Sequence, residues 1–377
     1  MMKSLEQSKS RESSIELLRI ISMILIVFHH FAVHGGFEWD TSDVSVTRFW
    51  YNLIIMGGKI GVNIFVLISG YYLVNSERKK VDLYKIFKFV GQVWFYSLVI
   101  FIISLIFGWR NIADIGITSF IEALFPITFS QWWFASTYFV LYLIHPFLNK
   151  LLFSLDQSLY QKLLLILVVC WSVIPTFTTS LYQSNSLLWF ITLYAIAGYI
   201  RLYGLNSKFS TKHYAVFLLI SSFLTYATSI IFTILGARWP FFASCVTYFY
   251  GQEKITVMLV SISCFMVFAT LKMNYHKWIN VIASTTFGIY LIHDDPMIRQ
   301  RLWIYLFKNA DYQDSILLIP YSIISVALVF IVCSLIDLLR QFVIERPYMK
   351  LVKHISAKNI SPCKKLFSRI KNCVFGE

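Results

Sequence analysis

The sequence predicts an all-α fold, namely a polytopic membrane bundle of about ten transmembrane helices with both the N-terminus and the C-terminus in the cytosol. Hydrophobic residues make up 58% of the 377 residues and charged residues only 14%, and the mean hydropathy is +0.66. This composition is not that of a soluble domain with an ordinary polar surface. Apolar stretches of about 20 residues, the length that crosses a bilayer as a helix, recur along the whole chain.

Ten apolar stretches have the length and composition of a membrane span. They cover residues 15–34, 52–74, 87–108, 132–153, 163–181, 187–204, 214–236, 254–271, 278–293 and 315–339. No small-residue cleavage site follows the first stretch, and further spans come after it. We therefore interpret the first stretch as a retained helix and not as a signal peptide.

The distribution of positive charge predicts the orientation of these spans. With the N-terminus in the cytosol, 25 of the 33 lysines and arginines fall in inner segments and the adjoining helix ends, as the positive-inside rule requires. Most of the formal net charge of +14 is therefore a topology signal, and the lipid bilayer is the expected partner. Nucleic-acid binding is not expected.

The segments between the predicted spans are too short to hold a separate soluble domain. The longest outer segments cover 35–51, 109–131, 237–253 and 294–314. We predict one membrane domain over residues 1–340 and a basic cytosolic tail over residues 341–377, with the chemistry inside the bundle or at its mouths. Of the cysteines, only Cys245 falls in an outer segment, so the sequence predicts free thiols and no extracytoplasmic disulfide.

The first predicted span carries a polar stripe that membrane helices rarely have. Four ionisable residues fall on one face at about 100° per residue: Glu16, Arg19, His30 and His34. Arg19 and His30 are eleven residues apart, or about 16 Å along the helix axis. Because ionisable groups at membrane depth are expensive, the stripe indicates a functional site that faces the bundle interior. The alternative is a packing role, with Arg19 snorkelling to the cytosolic interface and the histidines hydrogen-bonded across helices.

Basic residues outside the first span are further candidates. Lys59 lies in the second span among glycines that allow close helix approach, and it either binds substrate or snorkels to the outer interface. The first inner segment concentrates Arg78, Lys85 and Lys88 next to the membrane. Such clusters are general in inner loops. The functional alternative is a docking surface for a phosphate-rich cytosolic ligand, because lysine supplies point charge to phosphates.

Aromatic and acidic residues mark two outer mouths of the predicted bundle. Trp132, Trp133 and Tyr138 open the fourth span, where they either stack on a sugar ring or anchor the helix at the interface. His293 ends the ninth span and is followed directly by two aspartates. This group either binds a sugar or a metal, or is the solvated start of a loop.

Several of these residues together resemble the acyltransferase-3 family of integral membrane proteins, which acylate bacterial surface polysaccharide, lipopolysaccharide and peptidoglycan. The first span, SSIELLRIISMILIVFHHF, contains that family's arginine and histidine separated by ten residues, as Arg19 and His30. The other matching segments are IGVNIFVLISGYYL, the WWF of the fourth span, FGIYLIH and the closing ERP. The family's usual Arg-x-x-Arg after the second span is represented here only by Lys85 and Lys88, which keep the charge but lose bidentate geometry.

The resemblance implies an enzyme: a membrane O-acetyltransferase that takes acetyl from cytosolic acetyl-CoA and delivers it to a hydroxyl of a cell-surface or lipid-linked glycan. It implies that His30 deprotonates the hydroxyl or briefly carries the acetyl group, and that Arg19 holds the coenzyme A phosphates or orients the thioester. Acetyl-CoA is the expected cosubstrate, no metal is expected, and polysaccharide assembly machinery is a further candidate partner. The implied location is a bacterial plasma membrane.

A transporter or flippase for a lipid-linked sugar is the alternative, with Arg19, His30 and Lys59 lining a passage and no bond being made. Transporters often show inverted repeats with paired Gly or Pro interruptions. The sequence has no such internal symmetry, since Pro175 in the fifth span has no clear counterpart in the other half. A scaffold for a polysaccharide assembly complex would leave the buried charges without a role.

Overall fold

The structure is a computed structural model that describes residues 12–74, 81–109, 117–180, 184–204 and 208–357. It is 80% helical, and no strand occurs among the described residues. The predicted all-α polytopic membrane bundle is thereby confirmed.

The described residues form sixteen α-helices, several of which are short pieces in the outer segments. In chain order they are α1 Ser13–Val33, α2 Val46–Leu73, α3 Leu83–Ile106, α4 Ile117–Leu124, α5 Trp133–Ser154, α6 Gln157–Val168, α7 Ile174–Phe177, α8 Ser186–Tyr203, α9 Thr211–Gly236, α10 Pro240–Ala243, α11 Ile255–Thr270, α12 Lys277–Ala283, α13 Thr286–His293, α14 Pro296–Gln300, α15 Leu318–Arg340 and α16 Arg346–Ala357. A π-helical turn, Val169–Val173, joins α6 to α7 just before Pro175, whose missing N–H interrupts the α-helical hydrogen-bond ladder.

Eight helical segments among the described residues are long and apolar enough to cross a membrane. They are Ser13–Val33, Val46–Leu73, Leu83–Ile106, Gln157–Phe177, Ser186–Tyr203, Thr211–Gly236, Pro240–Thr270 and Leu318–His354. The fourth and ninth predicted spans are not among them. α5 covers the fourth and is long enough, but it contains His145, Asn149 and Lys150, which lower its mean hydropathy. The ninth is divided into α12 and α13.

The division of the ninth span lies at Ser284 and Thr285. Their hydroxyls donate to the backbone oxygens of Val281 and Ile282, each at 2.7 Å. Local hydrogen bonds of this kind compete with the regular helical ladder. The break ends α12 and starts α13, which packs against α1 and α15.

α1 and α2 pack closely because glycines of α2 face α1. A Cβ atom at Gly61 would lie 2.6 Å from the backbone oxygen of Ser22, and one at Gly58 would lie 2.2 Å from the ring of His29. Neither position has room for a larger residue without a shift of one helix. The expectation that these glycines allow close helix approach is met in the structure.

The helix that begins as α15 continues across residue 340, where the basic tail was predicted to begin. A π-helical turn, Gln341–Glu345, joins α15 to α16. Tyr348 of α16 donates from its hydroxyl to the backbone oxygen of Phe87 on α3 at 3.4 Å. The first part of the predicted tail is therefore a helix packed on the bundle, whereas residues 358–377 lie outside the described residues.

Candidate active site

A cavity of about 420 Å³ lies among α1, α2, α3, α5, α12 and α13. Arg19 and His30 both line it. Because these residues are eleven positions apart on α1, the cavity extends along roughly 16 Å of that helix. In the predicted orientation, the end at Arg19 is nearer the cytosol and the end at His30 is nearer the outer face.

The charged side chains among the described lining residues of this cavity are all basic. They are Arg19, Lys59, Lys85 and Lys88. Two of them have an acidic partner outside the lining: Arg19 Nη1 lies 3.3 Å from Glu16 Oε2, and Lys88 Nζ lies 2.7 Å from Glu345 Oε1. The cavity therefore has an electrostatic preference for an anionic ligand.

Three of the predicted substrate contacts meet at the cavity. Lys59 Nζ lies 5.2 Å from the centroid of the Trp133 ring, which is a cation–π distance. Tyr138 lines the same cavity, and its ring stacks on that of Phe134 with the centroids 6.1 Å apart. Lys59, Trp133 and Tyr138 thus share one cavity with His30.

The two adjacent histidines of α1 have different partners, as their different directions on the helix predict. His29 Nδ1 donates to the backbone oxygen of Ile55 on α2 at 2.8 Å. His30 Nδ1 lies 2.9 Å from Nε2 of His293 at the end of α13. His29 is therefore held against α2, whereas His30 is paired with the divided ninth span.

A cluster of polar side chains surrounds His30. Asp294 Oδ1 lies 3.6 Å from His30 Nδ1, 3.5 Å from His34 Nε2 and 3.9 Å from Arg299 Nη1. His293 is fully buried, and Asp294 is only 6% exposed. The ligand atoms of His30, His34 and Asp294 lie within 4.8 Å of one another, a spacing that could also hold a metal ion.

Not every predicted site residue reaches the cavity. Trp132 is 1% exposed and lies outside the lining. It precedes α5 and points in a different direction from Trp133, which lines the cavity. His293 does not line it either and contacts it through His30. The direct sugar contacts predicted for Trp132 and His293 therefore find no support in this placement. Arg78 lies outside the described residues.

A buried ionic network beside the cavity was not predicted from the sequence. Asp337 Oδ1 accepts hydrogen bonds from Tyr96 Oη at 2.7 Å, Gln92 Nε2 at 3.1 Å and Arg340 Nε at 2.7 Å. Gln92 also lines the cavity, so the network connects the cavity wall to α15. The one sequence signal was the presence of Asp337 and Arg340, three residues apart, near the end of an apolar span.

The buried carboxyl group of Asp295, next to this cluster, predicts that the stability of the protein depends on pH. Burial raises the pKa of Asp295 to about 6, although hydrogen bonds from the Met297 N–H and the Gln131 side chain favour its ionised form. The folded protein holds the proton of Asp295 more tightly than the unfolded chain does. The protonated group therefore makes its whole contribution to the free energy of unfolding below about pH 4, and this contribution is lost as the pH rises through about 6. We expect a loss of about 1 to 3 kcal/mol over this range.

The measurement for Asp295 is the melting temperature of the detergent-purified protein between pH 4 and pH 7. Asp295→Asn is the matched variant, since asparagine keeps an oxygen acceptor for the Met297 N–H and does not titrate. The difference in melting temperature, wild type minus variant, should fall as the pH rises. A difference that stays constant across this range would contradict the prediction.

One of three comparisons with known proteins identifies a family for this chain. The family model for acyltransferase-3, described as an acyltransferase domain, matches residues 12–338. Neither the comparison with curated proteins nor the comparison with solved structures gives a match. The matched region contains Arg19, His30 and every residue that lines the cavity. Because the family model covers most of the chain, the protein belongs to the acyltransferase-3 family and is a membrane acyltransferase.

Proposed function

We propose that this acyltransferase moves an acetyl group from cytosolic acetyl-CoA to a hydroxyl of a cell-surface or lipid-linked glycan, at the outer half of a bacterial plasma membrane. One observation supports this most directly: a single cavity is lined by Arg19, Lys85 and Lys88 and also by His30 and Lys59. A site of this kind offers cationic contacts for a phosphate-bearing donor and, further along, a histidine for proton or acyl transfer.

The donor is proposed to enter from the cytosolic end. Coenzyme A carries its phosphates at one end and its thioester at the other, with the extended pantetheine arm between them. With the phosphates near Arg19, Lys85 and Lys88, the arm follows α1 for a distance of about 16 Å and brings the thioester to His30. Lysines hold phosphates as point charges and do not need the fork geometry of arginine.

The acceptor is proposed to bind near Lys59, Trp133 and Tyr138. The aromatic rings offer apolar faces on which a sugar ring can stack. The Lys59 ammonium donates hydrogen bonds to sugar hydroxyls or to the phosphate of a lipid-linked sugar. These contacts position one hydroxyl beside the ring of His30.

Two routes use the same nitrogen of His30. As a general base, His30 takes the proton of the hydroxyl while the oxygen attacks the thioester carbonyl; the C–S bond breaks, and the leaving sulfur receives the proton from His30. As an acyl carrier, a ring nitrogen of His30 attacks the thioester carbonyl first, the C–S bond breaks and coenzyme A leaves as its thiolate, so that the acetylated ring is a cation. The hydroxyl then takes the acetyl group from the ring, and its proton passes to the coenzyme A thiolate.

Genetic complementation tests this function. The gene is deleted, the cells receive either the wild-type gene or an empty vector, and the O-acetyl content of the surface glycan is measured by proton NMR. Acetyl that returns only with the wild-type gene supports the proposal. A glycan whose amount changes while its acetylation does not would favour the transporter instead, although no structural observation favours that alternative.

Arg19 gives a prediction about donor binding. Replacing Arg19 with lysine keeps the charge and loses the bidentate donors, so the apparent KM for acetyl-CoA should rise about 5- to 10-fold. The KM for the acceptor should change much less. The assay is transfer of radiolabelled acetyl from acetyl-CoA to glycan in membrane vesicles.

Arg201→Lys is the matched control for this prediction. Arg201 also lies at the cytosolic end of a helix, donates to Tyr71 at 2.9 Å and does not line the cavity. Its substitution should leave both KM values near those of the wild type. An Arg19→Lys protein with an unchanged KM for acetyl-CoA would contradict the donor-binding role of Arg19.

A further inference from the structure

A chain of hydrogen bonds connects the backbone of α13 to the ring of His30. His293 Nδ1 lies 2.6 Å from the backbone oxygen of Ile289, one turn earlier in the same helix. His293 Nε2 lies 2.9 Å from His30 Nδ1. Among the described residues, no hydrogen bond involves the other ring nitrogen of His30, Nε2.

The positions of the protons follow from the first partner in this chain. A backbone oxygen only accepts hydrogen bonds, so His293 Nδ1 carries the proton that it donates to Ile289. A neutral imidazole has one N–H, and His293 Nε2 is therefore an acceptor. Its partner, His30 Nδ1, must then donate. In its neutral form His30 consequently carries its proton on Nδ1 and a free lone pair on Nε2.

We propose that His293 is a positioning residue that fixes the tautomer of His30, so that Nε2 is the nitrogen that takes the proton or the acetyl group. This inference rests on the role proposed above for His30 in acetyl transfer. His293 does not line the cavity, and its full burial in α13 holds the ring in place. It thus acts on the reaction through His30.

Asp294 places a negative charge close to the ring of His30. When Nε2 takes a proton or an acetyl group, the ring of His30 becomes a cation. The Asp294 carboxylate, with Oδ1 at 3.6 Å from His30 Nδ1, is placed to stabilise that cation without lying between His30 and His293. Two adjacent residues therefore supply the orientation and the countercharge, in the way that other acyl-transfer enzymes use an acidic group behind a histidine.

The first test measures the tautomer directly and needs no activity. Protein with ¹⁵N-labelled histidine is reconstituted in bilayers, and the His30 resonances are assigned from the spectrum of His30→Ala. We expect a protonated Nδ1 and an unprotonated Nε2 in the wild type. In His293→Phe, which keeps the ring volume but has no acceptor, the proton should move to Nε2. A wild-type His30 with its proton on Nε2 would overturn the proposal.

The second test is kinetic and separates positioning from packing. His293→Phe should lower kcat for acetyl transfer about 100-fold, while the KM for acetyl-CoA stays within about twofold of the wild-type value. His293→Gln retains an amide oxygen that can accept from His30 Nδ1, and it should restore at least a tenth of the wild-type kcat. Equal losses in the two variants would point to packing alone and would overturn the proposal.

The tests also distinguish a bound metal ion, and a failure of the proposed function, from a failure of the tautomer proposal. If a chelator shifts the His30 resonances of the wild type, then Nδ1 holds a cation together with His34 and Asp294, and the tautomer proposal is overturned. If the wild-type protein transfers no acetyl group to any glycan, the proposed function fails, whereas the ¹⁵N spectrum still decides the tautomer of His30.

Discussion

His30→Ala is expected to lower the rate of acetyl transfer by about 10³-fold or more while the protein remains folded in the membrane. The substitution removes the only nitrogen lone pair that we assign to proton or acyl transfer, and such groups contribute about 10²- to 10⁴-fold. His30 lines an existing cavity, so its loss enlarges that cavity and does not open a new void in a packed core. The effect should therefore appear in kcat and not in expression.

The measurement compares wild-type and variant proteins at equal membrane levels, with radiolabelled acetyl-CoA and purified glycan. His276→Ala is the matched control, because the His276 side chain is exposed at the start of α12 and lies outside the cavity lining. It should keep wild-type activity. Added imidazole should restore part of the rate to His30→Ala by entering the vacated space. Full activity of His30→Ala without imidazole would refute the role of His30.

Arg340→Met is expected to lower the free energy of unfolding by about 3 to 5 kcal/mol, the largest stability effect that the structure predicts. Asp337 is fully buried and Arg340 is 5% exposed. Their side chains are 2.7 Å apart, and Arg340 Nη2 also donates to Glu345 at 2.8 Å. Removing the arginine alone leaves the fully buried carboxylate of Asp337 without a cation, whereas Glu345 keeps Lys88 at 2.7 Å.

The melting temperature of the detergent-purified protein measures this effect. Arg346→Met is the matched control, since Arg346 is exposed and lies on the continuation of the same helix, and its loss should cost little. The double variant Asp337→Leu/Arg340→Met removes both charges and should recover much of the lost stability. A single Arg340→Met variant that melts like the wild type would show that the pair contributes nothing.

The same network bears on the donor site. Glu345, in the ERP segment, holds both Arg340 and the cavity-lining Lys88, at 2.8 Å and 2.7 Å. Glu345 therefore connects the continued helix of α15 and α16 to α3 beside the end of the cavity that Lys88 lines. The ERP segment, which the sequence offers only as one part of a family resemblance, thus contains the ionic partner of a proposed phosphate contact.

Much of the fold could be predicted from hydrophobic patterning. In lipid, each span must satisfy its backbone N–H and C=O groups by hydrogen bonds within its own helix, and it must present a continuous apolar surface to the lipid. The positions of α1, α3, α8 and α9 agree with the predicted spans to within a few residues. α12 and α13 show the limit of this approach. Hydrophobicity does not reveal the local hydroxyl hydrogen bonds at Ser284 that divide the ninth span.

The sequence by itself determined the membrane class, the candidate stripe of Arg19 and His30, and the glycines of the second span that allow close helix approach, because these depend on composition and on residues a few turns apart in one helix. Only the tertiary structure decided the partner of His30. His293 is 263 positions away, and no helical period relates two such residues. Likewise only packing distinguished Trp133 from Trp132 and placed Asp337 within reach of Tyr96, since burial and hydrogen bonding depend on which helices become neighbours in the folded bundle.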